Sequence, residues 1–244
     1  MRRLAFLVAL CVAGLLGPSL PARAGEVTVA VASNFLPAAE RLAEAFETET
    51  DHAVVLTHGS TGQIFAQIVN GAPFDVFLAA DTARPAELSA RGLAAEVRAY
   101  ALGRLVLVSR EAVTPETASE QVKGQNVALA DPLVAPYGLA ATAAMERLGL
   151  DTATFQPILV GNVGQAATVF RTGNADFAFV AASLLPRLDP PHVLELTGLH
   201  PPIRQDGALL ARGRGNVAAL AFWDFLDSVE AGEIIVASGF DLPR

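Results

Sequence analysis

The sequence predicts an α/β fold of two lobes with a cleft between them, and three observations carry that prediction. Strand-like apolar runs alternate with segments of helical period, the pattern of βαβ units and parallel sheets. The alternation falls into two similar groups, about residues 25–104 and 105–205. The segment after residue 205 has helices but too few strands for a lobe of its own, so it is expected to pack back on the first group. The expected division is lobe 1 over 25–104 plus 206–244 and lobe 2 over 105–205, with two chain crossings near 103 and 205.

Taken in order, Val27 to Ala32 reads as a strand. Phe35, Leu36, Ala39, Leu42, Ala43 and Phe46 then recur at helical spacing, with Pro37 suited to a first turn. Val54 to Thr57 is the next strand, and Ile64, Phe65 and Ile68 mark its helix. Asp75 to Ala79 is a third, short strand, and Asp81 is suited to cap a helix beginning near Arg84-Pro85. Leu102 to Ser109 (LGRLVLVS) reads as one long strand-like run. The second group repeats the scheme: Asn126 to Ala130, a helix near Gly138 to Leu148, Ile158 to Val160, a helix near Gly164 to Arg171, and Phe177 to Ala181. Arg204 to Ala211 is a last strand, followed by helices over Ala218 to Ser228 and Glu233 to Ser238.

The first 24 residues read differently. Met1-Arg2-Arg3, an apolar run from Leu4 to Leu16 and the Ala22-Arg23-Ala24 site describe a secretory signal peptide over 1–24. The run is shorter than the ~20 residues a membrane-spanning helix needs. Cys11 is the only cysteine and lies inside it, so the mature chain is expected to fold without disulfides. A bacterial periplasmic location and a soluble mature protein follow as expectations. Removing the segment takes away three arginines and no acid, moving the net charge from −8 to −11. Such a surface argues against nucleic acid and anionic membranes as partners. Lys123 is the sole lysine, which leaves no other residue for a phosphate-loop lysine or a Schiff base.

Four loops share one design. Ser33-Asn34, Gly59-Ser60-Thr61-Gly62, the 131–138 loop DPLVAPYG and the 161–165 loop GNVGQ each join a strand end to a helix start. In open α/β sheets such junctions lie at the carboxyl edge, where ligands bind. The first N–H groups of a helix have no partner within it, and its dipole puts about half a positive charge there. Hydroxyls of Ser33, Ser60 and Thr61 and the amide of Asn34 add donors at that end. Two such helix starts from each lobe would enclose a small oxyanion without a cation. Each loop also has a plainer reading: Ser or Asn before a helix is an ordinary N-cap, and Tyr137 after Ala135-Pro136 could simply cover a core edge. The GSTG loop is the strongest single item, since two glycines flanking two hydroxyls exceed what capping needs, and the coincidence of four raises the anion reading well above any one.

Other chemistries fit less well. There is no G-x-x-x-x-G-K-[ST] loop, no G-x-S-x-G elbow and no His/Cys cluster for a metal. A hydrolase using Ser60 or Thr61 with His58 as base lacks an identifiable third partner. Iron binding would want converging Tyr and His ligands, and Tyr100 and Tyr137 are the only tyrosines. Arg84 and Arg104 are expected to face solvent or pair with acids.

The stretches VAVASNFLPAAERLAEAFE, HGSTGQIFAQIVNGAPFDVFLAAD, DPLVAPYGLAA and VGQA resemble the periplasmic molybdate-binding proteins that feed ABC-type importers. The resemblance implies a two-lobed periplasmic binding protein fold (type II), with two crossings and the ligand in the inter-lobe cleft. It implies a monomeric, non-enzymatic protein that captures molybdate, and tungstate with it, for a membrane permease. No cofactor is implied, and no metal coordinated directly by protein, since the molybdenum is held as its oxyanion. Sulfate or phosphate is the alternative cargo. By position, the ligand set is Ser33, Asn34, Thr61 with Ser60 beside it, Tyr137, and Val163 through its backbone N–H. The residues alone leave open which of Ser60 and Thr61 meets the ligand; the resemblance favours Thr61. Where many members have a Tyr in the strand matching FAFVAAS, this chain has Ala181, and it looks closer to members that use Asn34 and Tyr137.

Overall fold

The computed structural model describes residues 25–243, so the expected signal peptide with Cys11 lies outside the described residues. Two five-stranded sheets form. The first is built around β1 (Glu26–Ala32), flanked in parallel by β2 (Ala53–Gly59) and β3 (Val76–Leu78). Along β1, Val27, Val29 and Val31 enter one apolar cluster and Ala30 another, because successive side chains point to opposite faces and both faces are covered. Covering one face is α1 (Leu36–Glu49), which buries Ala38, Ala39, Leu42, Ala43 and Phe46 at helical period. On the other, α2 (Thr61–Val69) buries Ile64 and Ile68, and α3 (Ala83–Ala90) buries Leu88.

Two antiparallel strands complete this sheet: β10 (Ile203–Leu210) lies between β3 and β4 (Ala94–Gly103). The terminal helices α8 (Val217–Phe225) and α9 (Val229–Ala237) join its core, where Phe222 meets Phe46 edge to face at 5.3 Å between ring centroids.

The second sheet repeats the plan. In it β6 (Asn126–Ala130) lies parallel to and between β7 (Gln156–Val160) and β8 (Phe177–Ala181). Antiparallel β5 (Leu105–Ser109) follows between β8 and β9 (His192–Glu195). The helices are α4 (Ala118–Gln121), α5 (Pro136–Leu148), α6 (Val163–Arg171) and α7 (Leu185–Leu188). Ala181, at the end of β8, is buried and pairs with Leu105.

The run from Leu102 to Ser109 is therefore not one strand. β4 ends at Gly103 in the first sheet and β5 begins at Leu105 in the second, with Arg104 between them. β4 escaped the sequence reading because it is half buried and carries charged residues that do structural work. Glu96 accepts a hydrogen bond from the Trp223 indole at 2.9 Å, and the Arg98 guanidinium lies 4.0 Å from the Trp223 ring centroid. The four-residue β9, also unforeseen, is largely exposed and so shows no apolar run. The chain returns to the first sheet between Glu195 and Ile203, slightly ahead of the expected 205.

Candidate functional site

The carboxyl ends of β1 and β2 face those of β6 and β7, and the four strand-to-helix loops meet there. Around a cavity of about 10 Å³ lie Ser33, Asn34, Ser60, Thr61, Tyr137 and Val163, together with Gly59, Ala80, Pro136 and Asn162. A single water molecule needs ~10–15 Å³, so the space as it stands has no room for an organic ligand. Among the described residues, no charged side chain lines it. A much larger groove of about 490 Å³ opens alongside, past Ser33, His58, Asn162 and Arg171. The small cavity is the better candidate, because the convergent donors are there.

Each loop reaches its shape for a local reason. Ser33 N–H donates to Gly59 O at 2.9 Å, tying the first loop to the end of β2. Neither Ser33 nor Asn34 caps α1, whose N-cap position is Phe35 without a side-chain bond. The plain capping reading of that loop therefore fails. Ser33 Oγ instead accepts from Gly164 N–H at 3.4 Å, on α6 of the second sheet.

Ser60 does cap α2. Its Oγ accepts from Gln63 N–H at 3.2 Å while Gln63 Oε1 accepts from Ser60 N–H at 3.3 Å, a reciprocal capping box. Thr61 Oγ1 accepts from Ala80 N–H at 3.0 Å, at the end of β3. Both residues are almost fully buried. Each hydroxyl thus accepts a backbone N–H and keeps its own proton to donate.

In the third loop, Asp131 Oδ1 accepts from Leu133 N–H at 2.9 Å, so its carboxylate is used within the turn and does not line the cavity. α5 then starts at Pro136 with no side-chain cap. The fourth loop has Asn162 as N-cap, its side chain accepting from Gln165 N–H at 3.0 Å, and Val163 as the first residue of α6.

Tyr137 is held from the opposite sheet. Asn34 Nδ2 and Gln205 Nε2 both approach its Oη at 3.4 Å, and Asn34 Nδ2 also donates to Gln205 Oε1 at 3.1 Å. Burial raises the Tyr137 pKa above its ordinary value, outweighing the opposing hydrogen bonds from Asn34 and Gln205. Burial likewise raises that of Tyr100, which donates to Ala79 O at 2.9 Å or Gln205 Oε1 at 3.0 Å. Both phenols therefore stay neutral and keep a proton to give.

The sequence reading missed Gln205, Tyr100, Gly103 and Ser183. Ser183 Oγ donates to Asn34 O at 2.7 Å from the second sheet, and a Cβ at Gly103 would lie 2.2 Å from Tyr137 Oη. One signal existed: Arg204-Gln205-Asp206 places three polar residues in a row near the start of a strand that then turns apolar, which is unusual unless the buried polar groups are partnered. His58 is exposed on β2, and no bond joins it to Ser60 among the described residues. Arg84 pairs with Asp81, whose carboxylate also accepts the Arg84 N–H, although the N-cap position of α3 is Thr82, without a side-chain bond. Arg104 Nε donates to Gly239 O at 3.4 Å.

Two α/β sheets meeting over a small, uncharged, donor-lined cavity describe a ligand-binding protein that holds its cargo between lobes. The chain belongs to the bacterial extracellular solute-binding protein family, whose model matches residues 27–241. It is 39% identical over 245 residues to the molybdate-binding protein ModA of Azotobacter vinelandii, covering 94% of both chains. It is 40% identical over 233 residues to that of Rhodobacter capsulatus, covering 93% of this chain and 92% of the relative. The solved structure of the Azotobacter vinelandii periplasmic molybdate-binding protein superposes with a TM-score of 0.80 at 33% identity, covering 89% of this chain and all of that one. The resemblance and fold class read from the sequence are borne out.

Proposed function

We propose that this protein is a periplasmic solute-binding protein that captures molybdate and delivers it to the permease of an ABC transporter. The observation that carries the reading is the cavity itself: four strand-to-helix junctions, two from each sheet, supply neutral donors and no charge. In this reading Ser33, Ser60, Thr61 and Tyr137 donate through hydroxyls and Val163 through its backbone N–H. Asn34 lines the cavity and steadies Tyr137. A fully ionised tetrahedral dianion accepts at every oxygen and suits such a lining. Tungstate, of the same charge and similar shape, binds as well.

Neutral donors also suit a site that must empty. A buried arginine would carry a desolvation cost whenever the cleft held nothing, whereas dipoles do not. The lobes hinge on the two crossings, and closure brings the second sheet's donors onto the anion. The protein works as a monomer, is exported by residues 1–24, and binds without turning its ligand over. His58, lacking a bond to Ser60, gives no support to hydrolysis.

Titration calorimetry of dialysed protein with molybdate, tungstate, sulfate and phosphate tests this. Molybdate and tungstate are expected to bind at one site per chain, well ahead of the other two. Tight sulfate binding with none of molybdate would overturn the assignment.

A further inference from the structure

Gln205 has no exposed surface and sits in β10, where the chain comes back from the second sheet. Its Oε1 accepts from Asn34 Nδ2 at 3.1 Å and faces Tyr100 Oη at 3.0 Å, while its Nε2 donates to Tyr137 Oη at 3.4 Å. Asn34 Nδ2 points at that same phenol oxygen from 3.4 Å. Two donors therefore converge on Tyr137 Oη, and a phenol oxygen so occupied has only its own proton left to give. Gln205 turns Nε2, not Oε1, to this phenol, and Oε1 already accepts from Asn34, so it is no competing acceptor for that proton. The remaining direction is the cavity, which Tyr137 lines. Gly103, in the crossing between sheets, leaves the room for this meeting. A Cβ there would lie 2.2 Å from Tyr137 Oη and 2.5 Å from Gln205 Nε2.

We infer that Gln205 is a specificity-determining positioning residue, which fixes Tyr137 as a donor toward the ligand and so selects fully ionised oxyanions over those that still carry a proton. A protonated oxyanion must donate one hydrogen bond, and a lining of donors offers it nothing. Leaving that buried O–H without an acceptor is costly, and this cost discriminates where net charge cannot. Hydrogen phosphate and molybdate are both dianions, so charge alone does not separate them. The inference rests on the anion-binding reading above and deepens it.

The test uses full mature protein: wild type, Gln205→Met, Gln205→Glu, Tyr137→Phe and the two double variants. Each is titrated with molybdate, sulfate and hydrogen phosphate, and its melting temperature is recorded. Gln205→Met is expected to weaken molybdate about tenfold, the scale of one hydrogen bond to a charged group. That loss should vanish when Tyr137 is already Phe, since the two act as a unit. Gln205→Glu gives the phenol proton an acceptor away from the cavity. Molybdate binding should then fall about 100-fold or more, and the molybdate-to-hydrogen-phosphate ratio should narrow. A merely structural glutamine would lower the melting temperature and leave that ratio alone. Wild-type affinity in Gln205→Met, or an equal loss in the Tyr137→Phe background, overturns the inference while the anion reading stands. If Gln205→Glu does not fold, the Met cycle decides. Wild type that binds none of the three anions overturns the reading and this inference with it.

Discussion

Tyr137 keeps its proton because burial opposes the phenolate, and that gives its pH behaviour a definite sign. Its folded pKa is raised above the ordinary 10.0, so any linked effect is absent below that pH. Above it the unfolded chain releases the proton and the native state does not, and stability falls as pH rises. Molybdate affinity is expected to stay flat up to about pH 10, the ordinary phenol value, and Tyr137→Phe should remove part of the stability loss beyond it. Ionisation of the donor at neutral pH, seen by ultraviolet titration, would contradict this. The roles of Ser60 and Thr61 can be separated by experiment at this scale. Ser60→Ala removes a cap and should cost about 1 kcal/mol. Thr61→Ala strands the buried Ala80 N–H and should cost about 1–3 kcal/mol. Both should lower anion affinity, and urea unfolding beside calorimetry separates the two effects. Residue types at these positions were legible in the sequence; which backbone group each hydroxyl accepts was not, because Ala80 is remote along the chain.

At the level of elements, the helix starts matter through what they touch across the cleft. Gly62, in the first turn of α2, donates its N–H to Val134 O at 2.9 Å in the third loop. A Cβ at Gly62 would come within 2.9 Å of that same oxygen, so any side chain pushes the two loops apart. Gly62→Val should therefore weaken molybdate binding by about tenfold or more, the scale of a lost or strained contact, with little change in melting temperature. Small-angle scattering should show a larger radius of gyration in the presence of ligand than wild type has. Unchanged affinity would mean that this contact is not part of closure. In the sequence, the two glycines of GSTG suggested a loop shaped for a ligand. Only the fold shows that Gly62 serves the approach of a neighbouring loop.

For the whole molecule, two sheets joined through short crossings make ligand and closure a linked equilibrium. Molybdate should raise the unfolding free energy with the logarithm of its concentration, by about 2.7 kcal/mol at a hundredfold excess over Kd, and calorimetry should read this as a rising melting temperature. The pair between Arg187 and Glu40 spans the two halves, but both side chains are about half exposed. It should contribute no more than ~1 kcal/mol, and Glu40→Gln should change affinity by less than about fivefold. A larger effect would shift weight from the buried donors to surface charge.

The sequence by itself determined the α/β class, the two groups of elements, the four junctions and the uncharged character of the lining. Those properties are local: apolar period, turn residues and helix starts are written in neighbouring positions. It also carried the family, through runs such as NGAPFDVFLAAD and APYGLA. Only the tertiary structure decided that LGRLVLVS divides at Arg104 between two sheets, and that Asn34 and Gln205 converge on Tyr137. The division rests on strand pairing with β10 and β8, and the convergence on contacts between residues 68 and 103 positions apart. The donor direction of one phenol is set by partners that the chain brings together only after both crossings are made.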